Sequence, residues 1–531
     1  MSAQQGTGHL VRLVLRRDRF LLPSWIVAFS LFPIAVASSL VDLYPTAAEQ
    51  QKYFADTASN PSYVALFGPA YSWEIGSLVA QRMSDMVVIV ALISLLTVIR
   101  HTRAEEESGR RELLAATAIG RLAPVTAALL VTVLANLLLG VIVAVGMIGL
   151  GLPATGSFAL AAGMAVAGIV FAAVGALMAQ VSTGARAARG LGIGLLALAY
   201  LLRLAGDSAD GLSWLSWLSP LHWVGAVRPY AGERWWLFLL PAALAVLSAA
   251  VAYALAARRD LGSGLIAERL GPPAAAPSLA GPFALAWRMH RGMLVAWTLG
   301  FAVAGLLFGS VARDAGENVG DNENLRDVVS RVGGGSALSD AFLASLTSIL
   351  GLIAAGYAIQ TVLRLQSEEV TGRAEPVLAT AAPRLRWAAS HLVFTLLGPT
   401  AALLAYGLLG GITYGASGDD VAGEIPRVLA SAAVQLPAVW VLGAVTVALF
   451  GLMPRAVAAS WVAFAFCFLF GQLGAIFDFP QALLDISPYT HLPRLPGGTV
   501  EALPLILLAV VAAALGAVGL AGLRRRDVPA G

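Results

Sequence analysis

The sequence predicts an all-α polytopic membrane protein, and three observations predict it. The 531 residues are 58 % hydrophobic and only 12 % charged, about half the charge of an ordinary soluble domain. Mean hydropathy is +0.79. Apolar runs of roughly 18 residues or more recur along the chain, each long enough to cross a ~30 Å hydrocarbon core as a helix.

Hydropathy predicts about twelve spans. In the first half they lie near 22–42, 86–101, 124–148, 158–181, 188–205 and 237–257. In the second half they lie near 293–312, 341–363, 388–414, 428–452, 456–477 and 503–523. The fifth is the weakest, because Arg203 and Asp207 enter it early. The stretch before the first span, "GHLVRLVLRRDRFLLPSW", mixes arginine with leucine and has no small-residue cleavage site. It therefore reads as an amphipathic helix on the membrane surface and not as a signal peptide. Arginine clusters fall in alternate connections: Arg12 to Arg19, Arg100 to Arg121, Arg186 and Arg189, Arg258 and Arg259, Arg364 to Arg386, Arg455, and Arg524 to Arg526. The excess of positive charge in cytoplasmic loops then places both termini in the cytoplasm. Two long outside loops follow, near 43–85 and 313–340, the second acidic and polar and read as a solvated lid or surface.

The chain also repeats itself. Residues 105–121 align without a gap to 368–384, with nine of seventeen positions identical. The informative matches are Glu105/Glu368, Glu106/Glu369, Gly109/Gly372, Arg110/Arg373, Glu112/Glu375 and Arg121/Arg384. Upstream, Leu13, Arg16, Arg19, Leu22 and Trp25 match Leu285, Arg288, Arg291, Leu294 and Trp297 at a strict three-residue spacing. That spacing puts them on one flank of a helix, with arginines for lipid headgroups and tryptophans for the interface. "ARRD" at 257–260 resembles "RRRD" at 524–527, and "LSP" at 218–220 resembles "ISP" at 486–488. The expectation is two parallel six-span halves, 1–270 and 271–531, joined by the Pro/Ala/Gly linker 270–282.

Several functions are disfavoured. The single lysine, Lys52, lies in "EQQKYF", without the glycine-rich turn of a phosphate loop, so this chain carries no ATPase domain of that type. One cysteine, Cys467, excludes an internal disulfide and a cysteine metal cluster. No metal and no nucleic acid is expected. Chains of intramembrane acids, the mark of proton coupling, are missing, since Asp207 and Asp485 fall at outside ends. An enzyme would need carboxylates on an outside loop, and Asp419 and Asp420 read as a solvated turn.

The charged segment after the second span in each half reads as a short surface helix. Glu106 and Arg110 are four apart with the acid first, the favoured helical order, and Glu369 and Arg373 repeat it. Gly109 and Gly372 permit a turn or a close backbone approach. Orientation explains arginine but not glutamate, which contributes little to it and is repelled by anionic lipid. Recurring glutamates therefore point to a protein partner. Pro376 and Pro383 replace Leu113 and Gly120, so the second helix is expected to be shorter or bent.

The surface helix, the span, the outside loop and "IRHTRAEEESGRRELL", with "ASNPSYVALFGPAY" and "SPLHWVGAVRPYAGERWW", resemble the permeases of the ABC-2 family of transporters. The fused twelve-span actinobacterial permeases of tetronasin or antibiotic type are the most similar group. The resemblance implies a type V exporter-like fold in the bacterial plasma membrane. It implies coupling helices that dock on a separate ATP-binding subunit, two copies per permease, with ATP and magnesium held there and no cofactor in this chain. Carried over by position, Glu105, Glu106, Gly109, Arg110 and Glu112 form one coupling site, and Glu368, Glu369, Gly372, Arg373 and Glu375 the other. A hydrophobic, drug-like substrate would pass from the cytoplasm or inner leaflet to the outside; a lipid or polymer is the alternative cargo, and a secondary transporter the rival mechanism. Polar residues within spans are pathway candidates because they are costly against lipid. They are Asn136, Gln180, Gln360, Gln435 and Gln472, with Tyr357 and Trp440 nearby. Helix packing is the competing explanation for each.

Overall fold

The computed structural model describes residues 2–58, 64, 67–111, 118–208, 211–260, 262–265, 273–320, 338–416, 418, 420–477 and 480–526. Among them the regular structure is helical, with no strand, and eleven helices are long and apolar enough to cross a membrane. The chain is a multi-pass membrane protein. It divides into two compact units, Met1–Gly271 and Pro272–Gly531.

In the first unit the amphipathic helix α1 (Thr7–Arg17) buries Leu10 and Val14 and ends at Asp18. The span α2 (Leu21–Leu43) then begins. The expected single flank from Leu13 to Trp25 is therefore interrupted. The reason is Asp18, whose buried carboxylate meets Arg100 at 3.0 Å and His101 at 2.5 Å and so turns the chain inward. The second span, α3 (Ser84–Ile99), runs on through a π-helical turn, Arg100–Ala104, into Glu105–Glu107. There follow α4 (Ala123–Gly149), α5 (Ala154–Val181), α6 (Ala185–Ser208) and α7 (Leu239–Arg258). The core sits on α3 and α5, the two spans most enclosed by the rest of this unit. Glycine lets α5 approach: a Cβ on Gly175 would lie 2.8 Å from the Leu95 carbonyl oxygen of α3. The weakest span, α6, retains its charges by burying them. Arg203 donates to Ser84 Oγ, and Asp207 accepts from Ser216 Oγ at 2.6 Å and meets His222 at 3.2 Å.

The second unit begins with a single long helix, α8 (Pro282–Gly320), in which entry segment and span are continuous. α9 (Leu338–Val370) and α10 (Arg384–Ala416) follow. The expected span at 428–452 is two helices, α11 (Val421–Ala433) and α12 (Leu436–Leu452), parted at Val434 and Gln435 ahead of Pro437. The expected span at 456–477 corresponds to α13 (Ser460–Phe477). Its described apolar portion, Pro454–Phe468, is shorter than a full crossing, so eleven spans and not twelve are counted among the described residues. The last helix, α14 (Ala502–Arg525), crosses α12 at glycines. A Cβ on Gly451 would lie 1.9 Å from the Gly519 carbonyl oxygen, and one on Gly519 2.4 Å from that of Val447. Most of the expected loop 313–340 lies outside the described residues.

Both "SP" motifs have one local job. Ser219 Oγ accepts from the Leu221 N–H, and Ser487 Oγ from the Tyr489 N–H, each capping a short turn that starts with proline. Asp420 is likewise a cap, accepting from the Gly423 N–H at 2.9 Å; Asp419 lies outside the described residues.

Candidate functional site

The connector after the second span is built the same way in each unit. In the first, the helix ends at Ser108, and Gly109 takes φ 73° and donates its N–H to the Glu106 carbonyl at 3.1 Å. In the second, Gly372 takes φ 71° and donates to the Glu369 carbonyl, also at 3.1 Å. A Cβ on Gly109 would meet nothing within 4 Å. Glycine is thus required for the left-handed turn and not for a close approach.

Glu106 is turned into the unit. Arg259, one residue past the end of α7, grips it with a forked pair, Nη1 to Oε1 at 2.9 Å and Nη2 to Oε2 at 2.6 Å. Arg103 meets the same carboxylate at 3.0 Å and Arg111 at 2.7 Å, and the Gly262 N–H donates to it at 2.7 Å. Burial draws the Arg111 guanidinium below its ordinary range, and Glu106 opposes that shift. Arg259 also donates from Nε to Gln180 Oε1 at 2.8 Å and from Nη1 to the Ser263 carbonyl. Arg121 donates to the Arg259 carbonyl. Arg103 also donates to the carbonyls of Thr183 at 2.5 Å and Ser263 at 2.8 Å. Glu107 Oε2 accepts from the Ala185 N–H at 2.9 Å, at the start of α6.

The second unit repeats the plan with fewer charges. Arg526, just past α14, forks onto Glu369, with Nη2 to Oε2 at 2.7 Å and Nη1 to Oε1. Its guanidinium lies 4.9 Å from the Phe450 ring. Arg384 donates to the Arg526 carbonyl at 3.0 Å, as Arg121 does to that of Arg259. Gln366, at the position of Arg103, donates to the Pro454 carbonyl at 2.5 Å.

The outer residues of each connector pair with one another. Glu105 takes Arg17 and, at 3.3 Å, Arg110; Glu368 takes Arg373 at 3.4 Å. The side chains of Arg110 and Arg373 are 54 % and 59 % exposed, and Glu107 and Glu375 are exposed as well. Glu375 begins the short helix Glu375–Leu378, with Pro376 in its first turn, where proline is tolerated. Glu112 lies outside the described residues.

The other expected residues divide. Arg16, Arg288 and Arg291 are exposed on the entry helices, and Arg19 is exposed in the turn between α1 and α2. Trp25 is buried in its unit's core, and Trp297 packs edge-on against Tyr357 with centroids 5.7 Å apart. Asn136 is fully buried between helices, donating to Ser94 Oγ at 2.9 Å and the Thr132 carbonyl at 2.8 Å, in a space that Gly168 leaves open. Gln180 belongs to the Arg259 cluster. Tyr357 fills the notch at Gly398, and Gln435, at the break between α11 and α12, packs on Gly351. Gln360 is half-buried on α9. Trp440 lines an apolar groove of about 510 Å³ between α10, α12 and α14. The side chain of Gln472 lies outside the described residues.

Sequence reasoning used Arg259 and Arg526 for orientation alone and missed their part in this site. Their signal was present, because "RRD" recurs at the end of each half. Only the fold brings those arginines, 153 and 157 positions onward, back to the glutamates of the connectors.

The family described as "Multidrug efflux system permease Rv1217c, C-terminal domain" matches residues 8–257 and 279–524. The multidrug efflux system permease protein Rv1217c of Mycobacterium tuberculosis is 45 % identical over 530 residues, 99 % of this chain and 96 % of that protein. With the whole membrane domain and both connectors inside the matched length, the chain belongs to the multidrug efflux permease family of Rv1217c.

Proposed function

We propose that the chain is the membrane subunit of an ATP-driven exporter of the ABC-2 type, powered by two copies of a separate ATP-binding subunit. Antibiotic or other hydrophobic drug-like compounds leave the cytoplasm or inner leaflet through it, across the bacterial plasma membrane. One observation carries the reading. Two connectors of matching geometry each hold a glutamate inward and present an exposed arginine beside a left-handed glycine turn. That is the form of a handle, rigid towards its own unit and charged towards a partner. The family supports export of drugs, and the lack of a phosphate-loop lysine supports an ATPase on another chain.

In this mechanism the connectors carry the movement of the ATPase dimer into the spans. In this reading the exposed Arg110 and Arg373 meet the partner, while Glu106 and Glu369 brace the turn from behind. The test co-expresses the chain with the ATP-binding subunit encoded beside it and reads co-purification and substrate-stimulated ATP hydrolysis. Arg110→Glu with Arg373→Glu is expected to release the ATPase subunit while the chain stays folded in the membrane. Retention of the subunit and of stimulated hydrolysis would overturn the assignment. Susceptibility profiling of a deletion strain then separates drugs from lipid as cargo.

A further inference from the structure

Each connector is tied to the end of its unit's last span, and the tie has the same parts twice. A connector glutamate forks onto the arginine that follows the last span. The arginine at the far end of the connector segment donates to that arginine's own carbonyl. A donor three residues before the glutamate, Arg103 or Gln366, holds a carbonyl in the link from α5 to α6 or from α12 to α13, Thr183 or Pro454. So the tie joins three places within one unit: the end of the second span, the link after the fourth, and the end of the last.

We propose that these ties are positioning devices for transport, making the end of the last span move with the connector, and that the second is where the link yields first. The proposal rests on the reading that an ATP-binding subunit drives the connectors. The inequality follows from composition. Glu106 is held by Arg259, by Arg103 and Arg111 of its own connector, and by the Gly262 N–H. In the second unit the positions of Arg103 and Arg111 are Gln366 and Ala374, so those two charges have no counterparts there. Glu369 forks onto Arg526. Removing one charge from the first tie leaves the carboxylate gripped; removing Arg526 takes away the fork that joins the second connector to α14.

The experiment uses the full complex in cells and in detergent, with ethidium as the transported probe. Glu369→Gln and Arg526→Gln are each expected to lower the maximal efflux rate about tenfold, with the half-saturating ethidium concentration held within about twofold, as befits a lost positioning contact. The ATP-binding subunit still co-purifies, and amide exchange over residues 368–378 becomes faster. Arg526→Lys, which keeps the charge but not the fork, recovers part of the rate, and the reversed pair Glu369→Arg with Arg526→Glu recovers rate and protection together. Arg259→Gln, the matching loss in the first tie, lowers the rate less than Arg526→Gln does, because Arg103, Arg111 and the Gly262 N–H still hold Glu106; an equal or larger loss overturns the inequality. Single variants with unchanged rate and exchange overturn the proposal. So does Arg526→Lys no better than Arg526→Gln. Failure of the parent reading shows separately, as efflux by the unaltered chain that survives ATP depletion.

Discussion

At the scale of single residues, repetition in the sequence was a sound guide to which side chains matter and a poor one to where they point. Glu106 and Arg121 stood out because they recur at 369 and 384, but a glutamate that docks on a partner and one that closes an internal tie leave the same trace in a sequence. What decides between them is an arginine more than 150 positions away, which no local pattern reveals. Glu106 sits among three guanidinium groups, so removing it strands buried positive charge. Glu106→Ala is expected to cost about 3–5 kcal/mol of stability, the usual penalty for breaking a buried pair from one side. Arg111→Gln costs less, because Glu106 keeps Arg103 and Arg259. Unfolding in detergent followed by denaturant titration reads both, and equal effects would count against this arrangement. Gly109→Ala meets no steric obstacle, only the left-handed φ, and is expected to cost about 1–2 kcal/mol in the same assay.

At the scale of elements, hydropathy placed eleven of the twelve expected spans on apolar helices among the described residues, because a bilayer-crossing helix is a compositional object. It failed where a polar residue redirects the chain. Asp18 breaks the entry helix of the first unit by reaching Arg100 and His101, and neither partner is legible from the local periodicity. Gln435, a polar oddity within a span, lies where α11 gives way to α12, and the span Val421–Leu452 continues through that turn. The polar residues offered as pathway candidates mostly serve packing, Asn136 most plainly. Glycine contacts fix the last helix. With Gly451 and Gly519 at backbone distance, Gly519→Leu is expected to push α14 away from α12 and lower the unfolding temperature by several degrees, roughly what 1–3 kcal/mol of overpacking does. The same change at Gly516, whose Cβ would meet nothing within 4 Å, serves as the control and should leave the temperature unchanged.

At the scale of the whole molecule, the chain is two units, each with its own buried clusters. A protease site inserted between Gly271 and Pro272 is therefore expected to be cut without lowering the unfolding temperature of either fragment; joint unfolding on cleavage would show that each unit needs covalent attachment. The two units reach their ties by different windings. In the first, the second span arrives through the π-helical turn Arg100–Ala104, whereas α9 of the second is unbroken α-helix to Val370. A π turn accommodates one residue more than an α turn in the same climb. Deleting one residue there is expected to turn the π turn into an α turn with Glu106 still on Arg259, whereas the same deletion in the regular helix of α3 would rotate everything beyond by ~100°, the step of a 3.6-residue helix, and swing Glu106 off Arg259 while every residue of the tie was still present. The first connector is thus threaded one notch ahead of the second, and its bond to the last span depends on phase as much as on charge.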